Sequence, residues 1–301
     1  MYLSASFLGC SKRTTAVLLE PALSTTSVSI ICPQVENFGF PNNRAFVSVQ
    51  DQTGTAITDF ALGNFVASEN GTPCVVLGYK KVNNIADPLS TAIVIDRSGS
   101  MGWSSAMSDA KTAAIAYVNA MAATDFAEIV LYDNEVEVPQ TFTNDKALLI
   151  AAINSAYARG GTATFEGAVK GADDLSLRSG RKTILVMTDG DDASQLETEA
   201  TAIIKINKAG IAAFCVGFGG SANMTNLDNL SRGTGGQSFT ATTLNELIGR
   251  FTGIFYIMNN LVEVDFRSRI GDVLPLDNTR ELTVYLNYTG LNKSCKKKYG
   301  Y

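Results

Sequence analysis

Histidine is absent from all 301 residues. Its absence excludes a Ser-His-Asp triad, a Cys-His dyad and any zinc site with an imidazole ligand. A metal held by this chain must therefore take oxygen or thiolate ligands. The cysteines stand at 10, 32, 74, 215 and 295, never as a Cys-x-x-Cys pair, which removes the usual structural-zinc and thioredoxin-like spacings. No apolar run reaches the roughly 20 residues that a helix needs to cross a bilayer. Charged residues make up only 18% and sum to −5, a balance that gives no general attraction to nucleic acid or anionic lipid.

What is present is globular in kind, with 46% hydrophobic residues. Cys215 lies in the apolar run from Ile211 to Phe218 and reads as a buried free thiol. Cys32, Cys74 and Cys295 suffice for one disulfide in an oxidising compartment, and their spacing does not say which pair. At the N-terminus Leu8-Gly9-Cys10 resembles the end of a bacterial lipoprotein signal, which would put a lipid anchor on Cys10. The basic start is missing and the apolar part is short, so a plain leader is the competing reading.

Pattern divides the chain in four. Residues 1–34 read as leader and linker with one strand, Ser27 to Ile31. Residues 35–87 form an N-terminal β segment: Phe46, Val47 and Val49 lead into a turn at Asp51-Gln-Thr-Gly54, a strand is expected from Ile57 to Phe65, Asn70-Gly71 is a hairpin signal, and Val75 to Val82 follows. Residues 88–259 alternate short apolar runs with helical periods. Strands are expected at Thr91–Ile95, Phe126–Tyr132, Val136–Phe142, Thr183–Thr188, Ile211–Gly217 and near Ser238. Helices are expected at Ser104–Ala122, Asp145–Tyr157, Phe165–Leu177, Leu196–Lys208, near Asn226 and at Leu244–Met258. Ala106, Ala110, Ala113, Tyr117 and Met121 fall on one helical stripe. Ala92-Ile-Val-Ile95 and Ile184-Leu-Val-Met187 are apolar on both faces, as central parallel strands covered by helices are. This predicts an α/β fold with a doubly wound, mostly parallel sheet and helices on both faces. Residues 260–301 return to alternation at Val262, Val264 and Phe266 and at Leu282, Val284, Leu286 and Tyr288. Neither β segment has strands enough for a core alone, so the two are expected to pair into one small β-sandwich into which the α/β unit is inserted. Lys296-Lys-Lys298 reads as a solvated terminal charge run.

Three segments carry chemistry. The first central strand ends at Ile93-Val-Ile-Asp96-Arg-Ser98-Gly-Ser100-Met101, which sets three oxygen-bearing side chains on a strand-to-helix turn, at the edge where open α/β sheets bind ligands. Arg159-Gly-Gly161-Thr162-Ala-Thr164 joins two helices through a tight turn. Val186-Met-Thr-Asp189-Gly190 ends another central strand on a carboxylate. Singly, Asp96 and Ser98 read as helix caps and Asp189-Gly190 as a plain turn. Asp191 and Asp192 crowd the same face and read as solvated surface, with tuning of ligand choice by repelling acidic partners as the alternative. Gly217-Phe-Gly-Gly220-Ser221 lacks both the Rossmann spacing and the Lys-Ser/Thr of a nucleotide loop.

Together the three segments resemble the von Willebrand factor type A family and its metal-ion-dependent adhesion site, over roughly residues 88 to 258 and in family order. Asp96, Ser98 and Ser100 match the Asp-x-Ser-x-Ser element, Thr162 the threonine and Asp189 the second aspartate. The resemblance implies that Ser98, Ser100 and Thr162 ligate Mg2+, or Mn2+ or Ca2+, while Asp96 and Asp189 act largely through bound water. A hard cation suits such oxygens. Held mainly by neutral hydroxyls it stays electrophilic and would take a carboxylate from a protein partner, helped by the dipole of the helix starting near Ser104. The implied function is a non-enzymatic, cation-dependent binding module of adhesion type, placed in the cell envelope, at the surface or secreted. Two alternatives remain: a cytoplasmic assembly factor for an AAA-type ATPase, and a metal-dependent hydrolase, for which the chain offers no histidine base. Segment 59–71 also resembles an immunoglobulin-like stretch that precedes the A domain in some bacterial proteins.

Overall fold

A computed structural model describes residues 25–270 and 279–300, apart from single positions 38, 83, 85, 104 and 195. The leader reading and Cys10 lie outside the described residues. Strands β1 (Val28–Asn37), β2 (Asn42–Asp51), β3 (Phe65–Glu69), β4 (Thr72–Pro73) and β5 (Val75–Lys81) come first. The α/β unit follows with β6 (Leu89–Asp96), α1 (Ala106–Ala120), β7 (Phe126–Tyr132), β8 (Val136–Thr143), α2 (Lys146–Ser155), α3 (Thr164–Ser176) and β9 (Arg181–Thr188). It closes with α4 (Glu199–Lys208), β10 (Ala213–Phe218), α5 (Met224–Gly233), β11 (Ser238–Ala241) and α6 (Leu244–Asn259). Strands β12 (Val262–Arg267), β13 (Thr279–Tyr288) and β14 (Leu291–Gly300) complete the order.

The central sheet runs β11-β10-β9-β6-β7-β8. Five strands are parallel and β8 joins antiparallel at one edge. β6 and β9 are buried at every position, as their two-sided apolar runs require. Helices α1, α2 and α6 pack on one face, and α3, α4 and α5 on the other. The stripe Ala106, Ala110, Ala113, Tyr117 and Met121 is buried throughout.

Two four-stranded sheets flank this unit, β1-β2-β12-β5 and β14-β13-β3-β4. Each mixes strands from before and after the α/β unit: β12 lies between β2 and β5, and β13 pairs with β3. One core fills the space between them, with Val47, Phe65, Val264 and Leu286 among its members. The expected strand at Ile57 to Phe65 is not formed. Only Ala56 makes an isolated bridge, and a 3-10 turn spans Leu62–Asn64. The reason is topological: β2 and β3 belong to different sheets, so this segment must cross between them, and it does so by burying Phe60 in the core. The hairpin at Asn70-Gly71 forms, with φ of 47° and 80°, the positive values that such a turn demands.

The lysine run is also not the solvated tail expected. It lies in β14, paired with β13 over its whole length. Lys296 and Lys298 point outward, but Lys297 is 1% exposed. Its Nζ donates to the carbonyls of Ile211 and Thr234 and to Asn207 Oδ1. Burial lowers its pKa to about 7, opposed by neighbouring Cys32. From β1, Gln34 accepts from Lys182 N (2.7 Å) and donates to Gly180 O (2.9 Å), while Val35 N donates to Gly210 O (3.2 Å). All of these partners sit where β9 and β10 begin. The described strands of the sandwich are thus docked at the base of the central sheet, and the opposite rim lies roughly 25 Å away along an eight-residue strand.

Candidate functional site

That rim holds the carboxyl ends of β6 and β9. Asp96 is the last residue of β6 and Asp189 follows the last of β9. Ser98 and Ser100 come next on the chain, where a 3-10 turn at Gly99–Gly102 is pinned into the core by fully buried Met101. The Ser98 and Ser100 hydroxyls are 2.9 Å apart, and Ser100 Oγ donates to Asp189 Oδ1 at 2.7 Å. A Cβ placed on Gly190 would stand 3.7 Å from Ser100 Oγ and 3.9 Å from Thr162 Oγ1, so the threonine hydroxyl borders the same small space. All five residues singled out in the sequence therefore meet at one place.

Backbone bonds bring Thr162 there. Arg159 N donates to Arg97 O (2.6 Å), Gly99 N to Gly160 O (3.1 Å), and Ala163 N to Asp133 O (2.7 Å). Gly160 has a φ of +68°, and a Cβ on it would fall 2.6 Å from Asn134 Oδ1, so only glycine fits. Beneath, Asp133 accepts from both Arg97 Nε and Arg159 Nε at 2.7 Å, and Arg97 Nη1 reaches Glu137 at 2.6 Å. The arginine inside the first motif and the one opening the second thus share a carboxylate. Against burial, which raises it, the Arg159 hydrogen bond, the Glu135 amide and the charges of the two guanidiniums hold the Asp133 pKa below the usual range.

Asp96 is fully buried, and both its oxygens are engaged. Oδ1 accepts from Ser98 N and Oδ2 from Thr188 Oγ1, each at 2.6 Å. Burial raises its pKa to about 6 against those hydrogen bonds, and burial likewise raises that of Asp189 against the Ser100 bond. Two carboxylates thus carry a desolvation cost that a dication among them would offset. Neither Asp96 nor Ser98 caps α1, which begins only at Ala106 beyond the 3-10 turn; no side chain of its N-cap Ser105 makes a cap bond. The expected start near Ser104 therefore moves inward, and the 3-10 amides lie between Ser98 and the helix.

Sequence reading missed Trp103 and gave the two neighbouring aspartates no hydrogen-bonding role. Asp192 is not free surface: its Oδ1 accepts from Thr164 N (2.9 Å) and Phe165 N (3.3 Å) and caps α3. Asp191 Oδ1 accepts from Asn223 (2.8 Å) and Asn226 (3.2 Å). Trp103, 77% exposed, walls a cleft of about 320 Å³ together with Ser100, Asp189, Phe218 and Gly219. The glycine loop after β10 is thereby part of this cleft. Its sequence signal was the glycine run itself, whereas a lone tryptophan in a loop has no periodicity to betray it. Among the described residues no three of Cys, Asp and Glu cluster as metal ligands; the donor set here is three hydroxyls and two carboxylates. That set fits a hard cation, which prefers oxygen.

Residues 91–191 match the family model of the von Willebrand factor type A domain. No curated protein matches the chain. Among solved structures, a von Willebrand factor type A protein from Catenulispora acidiphila is similar over 91% of this chain and 73% of its own, at 13% identity and a TM-score of 0.53. A mutant of the PilB minor pilin from Streptococcus sanguinis is similar over 79% and 80%, at 14% identity and a TM-score of 0.50. Proximal thread matrix protein 1 from the mussel byssus is similar over 63% and 51%, at 15% identity and a TM-score of 0.52. At these identities the likeness is one of fold.

Proposed function

We propose that the α/β unit, whose residues 91–191 match the von Willebrand factor type A family model and whose fold is similar to that of a solved von Willebrand factor type A protein, binds a protein partner through one divalent cation held by Asp96, Ser98, Ser100, Thr162 and Asp189. The observation that carries this reading is the convergence of three hydroxyls and two burdened carboxylates on the carboxyl rim of the sheet. Mg2+ is the first choice, with Mn2+ or Ca2+ as substitutes. Ser98, Ser100 and Thr162 would bind it directly. Asp96 is already committed to two hydrogen bonds and would act through water. A cation gripped mainly by neutral oxygens keeps affinity for an anion, so the partner would present a carboxylate.

Binding rather than catalysis suits the site. The chain offers no histidine base, and a single cation so held clamps a ligand more readily than it activates water. A place outside the cytoplasm, with a lipid on Cys10, belongs to the same reading; similarity to a minor pilin agrees with it. Among the described residues no helix is long and apolar enough to cross a membrane.

Isothermal titration of the full chain with Mg2+ and Mn2+ tests the site directly. One cation per chain is expected, with affinity lowered at least tenfold in Asp96→Ala and in the more accessible Thr162→Ala, both retaining the wild-type circular dichroism spectrum. No saturable cation binding by the wild type, or binding unchanged in Thr162→Ala, would overturn the reading.

A further inference from the structure

Two cysteines that the rim does not use lie together at the other end of the molecule. Cys32 is on β1 and Cys295 on β14, 1% and 8% exposed, within the core between the two flanking sheets. These strands belong to different sheets and pack on each other. The β1–β2 register shifts between Ile31 and Gln34. That bulge breaks the in-out alternation and leaves residues 32 to 35 buried in succession. It turns Cys32 inward, into the core that also holds Cys295, where each thiol donates to a backbone carbonyl, Cys32 Sγ to Gln34 O (3.6 Å) and Cys295 Sγ to Val284 O (4.0 Å). Of the other described cysteines, Cys74 packs half-buried at the edge of the same core, and Cys215 is buried in the core of the α/β unit.

We propose that Cys32 and Cys295 are the pair that closes a disulfide across the sandwich when the protein meets a disulfide oxidant such as oxidised glutathione. One cysteine sulfur attacks the oxidant, displacing one thiol and leaving a mixed disulfide. The second cysteine sulfur attacks that bond and displaces the other thiol. The two cysteines lose two electrons and two protons, and both are recovered in the two thiols released. The bond closes a loop containing the whole α/β unit, so it constrains the unfolded chain strongly. It also covalently joins the two sheets beside Lys297. The inference stands apart from the cation site, and either can fail without the other.

The test is oxidative refolding of the full chain. Protein unfolded under reducing conditions is refolded in a glutathione redox buffer, denatured, alkylated and peptide-mapped. A linked peptide pair containing Cys32 and Cys295 is expected, with Cys74 and Cys215 alkylated. The melting temperature of the oxidised protein should exceed that of the reduced protein, and the gap should vanish in Cys32→Ala. Full alkylation of Cys32 and Cys295 after refolding, or their linkage to Cys74 instead, would overturn the proposal; the mapping decides even if the variant does not fold.

Discussion

Trp103 is the side chain whose position most outruns its sequence signal. An indole exposed to 77% next to Ser100 carries a solvation cost that a partner could relieve, and aromatic anchors dominate interface energetics. Trp103→Ala is expected to weaken partner binding by about 2 kcal/mol, roughly thirtyfold, while cation affinity in calorimetry stays at the wild-type value. A parallel loss of cation binding would mean that the indole supports the turn rather than the partner. The five oxygen-bearing residues were legible because three spaced segments had to coincide, which one aromatic never does. Asp192 was misread for a related reason: its cap on α3 joins residues far apart in the chain, and capping signals are read only locally.

At the scale of elements, the α/β strands and helices were legible because period and burial agreed. β6 and β9 are apolar on both faces and buried on both; α1 has one stripe and one buried face. β14 was opaque because its sequence, Leu291 to Gly300, is dominated by lysines, and a strand can alternate charge outward while inserting one lysine inward. Lys297 then gives the interface a pH dependence. Its folded pKa, about 7, lies below the usual 10.5. Between those values the unfolded chain holds the extra proton, so the burial penalty is full at and below neutrality and relaxes as pH rises. Chemical denaturation of the wild type from pH 7 to pH 10 should therefore show a gain in stability relative to Lys297→Met. At pH 7 the variant also leaves the Ile211 and Thr234 carbonyls without that donor, at a cost of about 1–3 kcal/mol. Parallel pH profiles for the two proteins would show that Lys297 titrates normally.

For the whole molecule, the pairing of the two β segments was legible from their incompleteness, since neither could close a core alone. Their docking was not, because Gln34, Lys297 and Arg181 meet backbone atoms that no side-chain pattern announces. Arg181, fully buried at the start of β9, donates to Asp87 O (2.8 Å) on the way into the α/β unit and to Met258 O and Asn259 Oδ1 on the way out. With the junction so tied, sandwich and α/β unit should unfold together. Scanning calorimetry is expected to give one transition with matching calorimetric and van't Hoff enthalpies; two resolved peaks would show the units to be energetically independent.

The chain leaves the sandwich after β5 and returns at β12, and these strands are neighbours, with Lys81 opposite Val262 and Val82 N bonded to Leu261 O at 3.1 Å. Entry and exit are therefore a single tether point. Tension applied between β1 and β14 would travel through the sandwich's ladders and load the inserted unit only at its base, where Gln34, Val35 and Lys297 bond to it. The carboxyl ends of β6 and β9, at the far end of the unit, would then stay together while the sandwich bears the load.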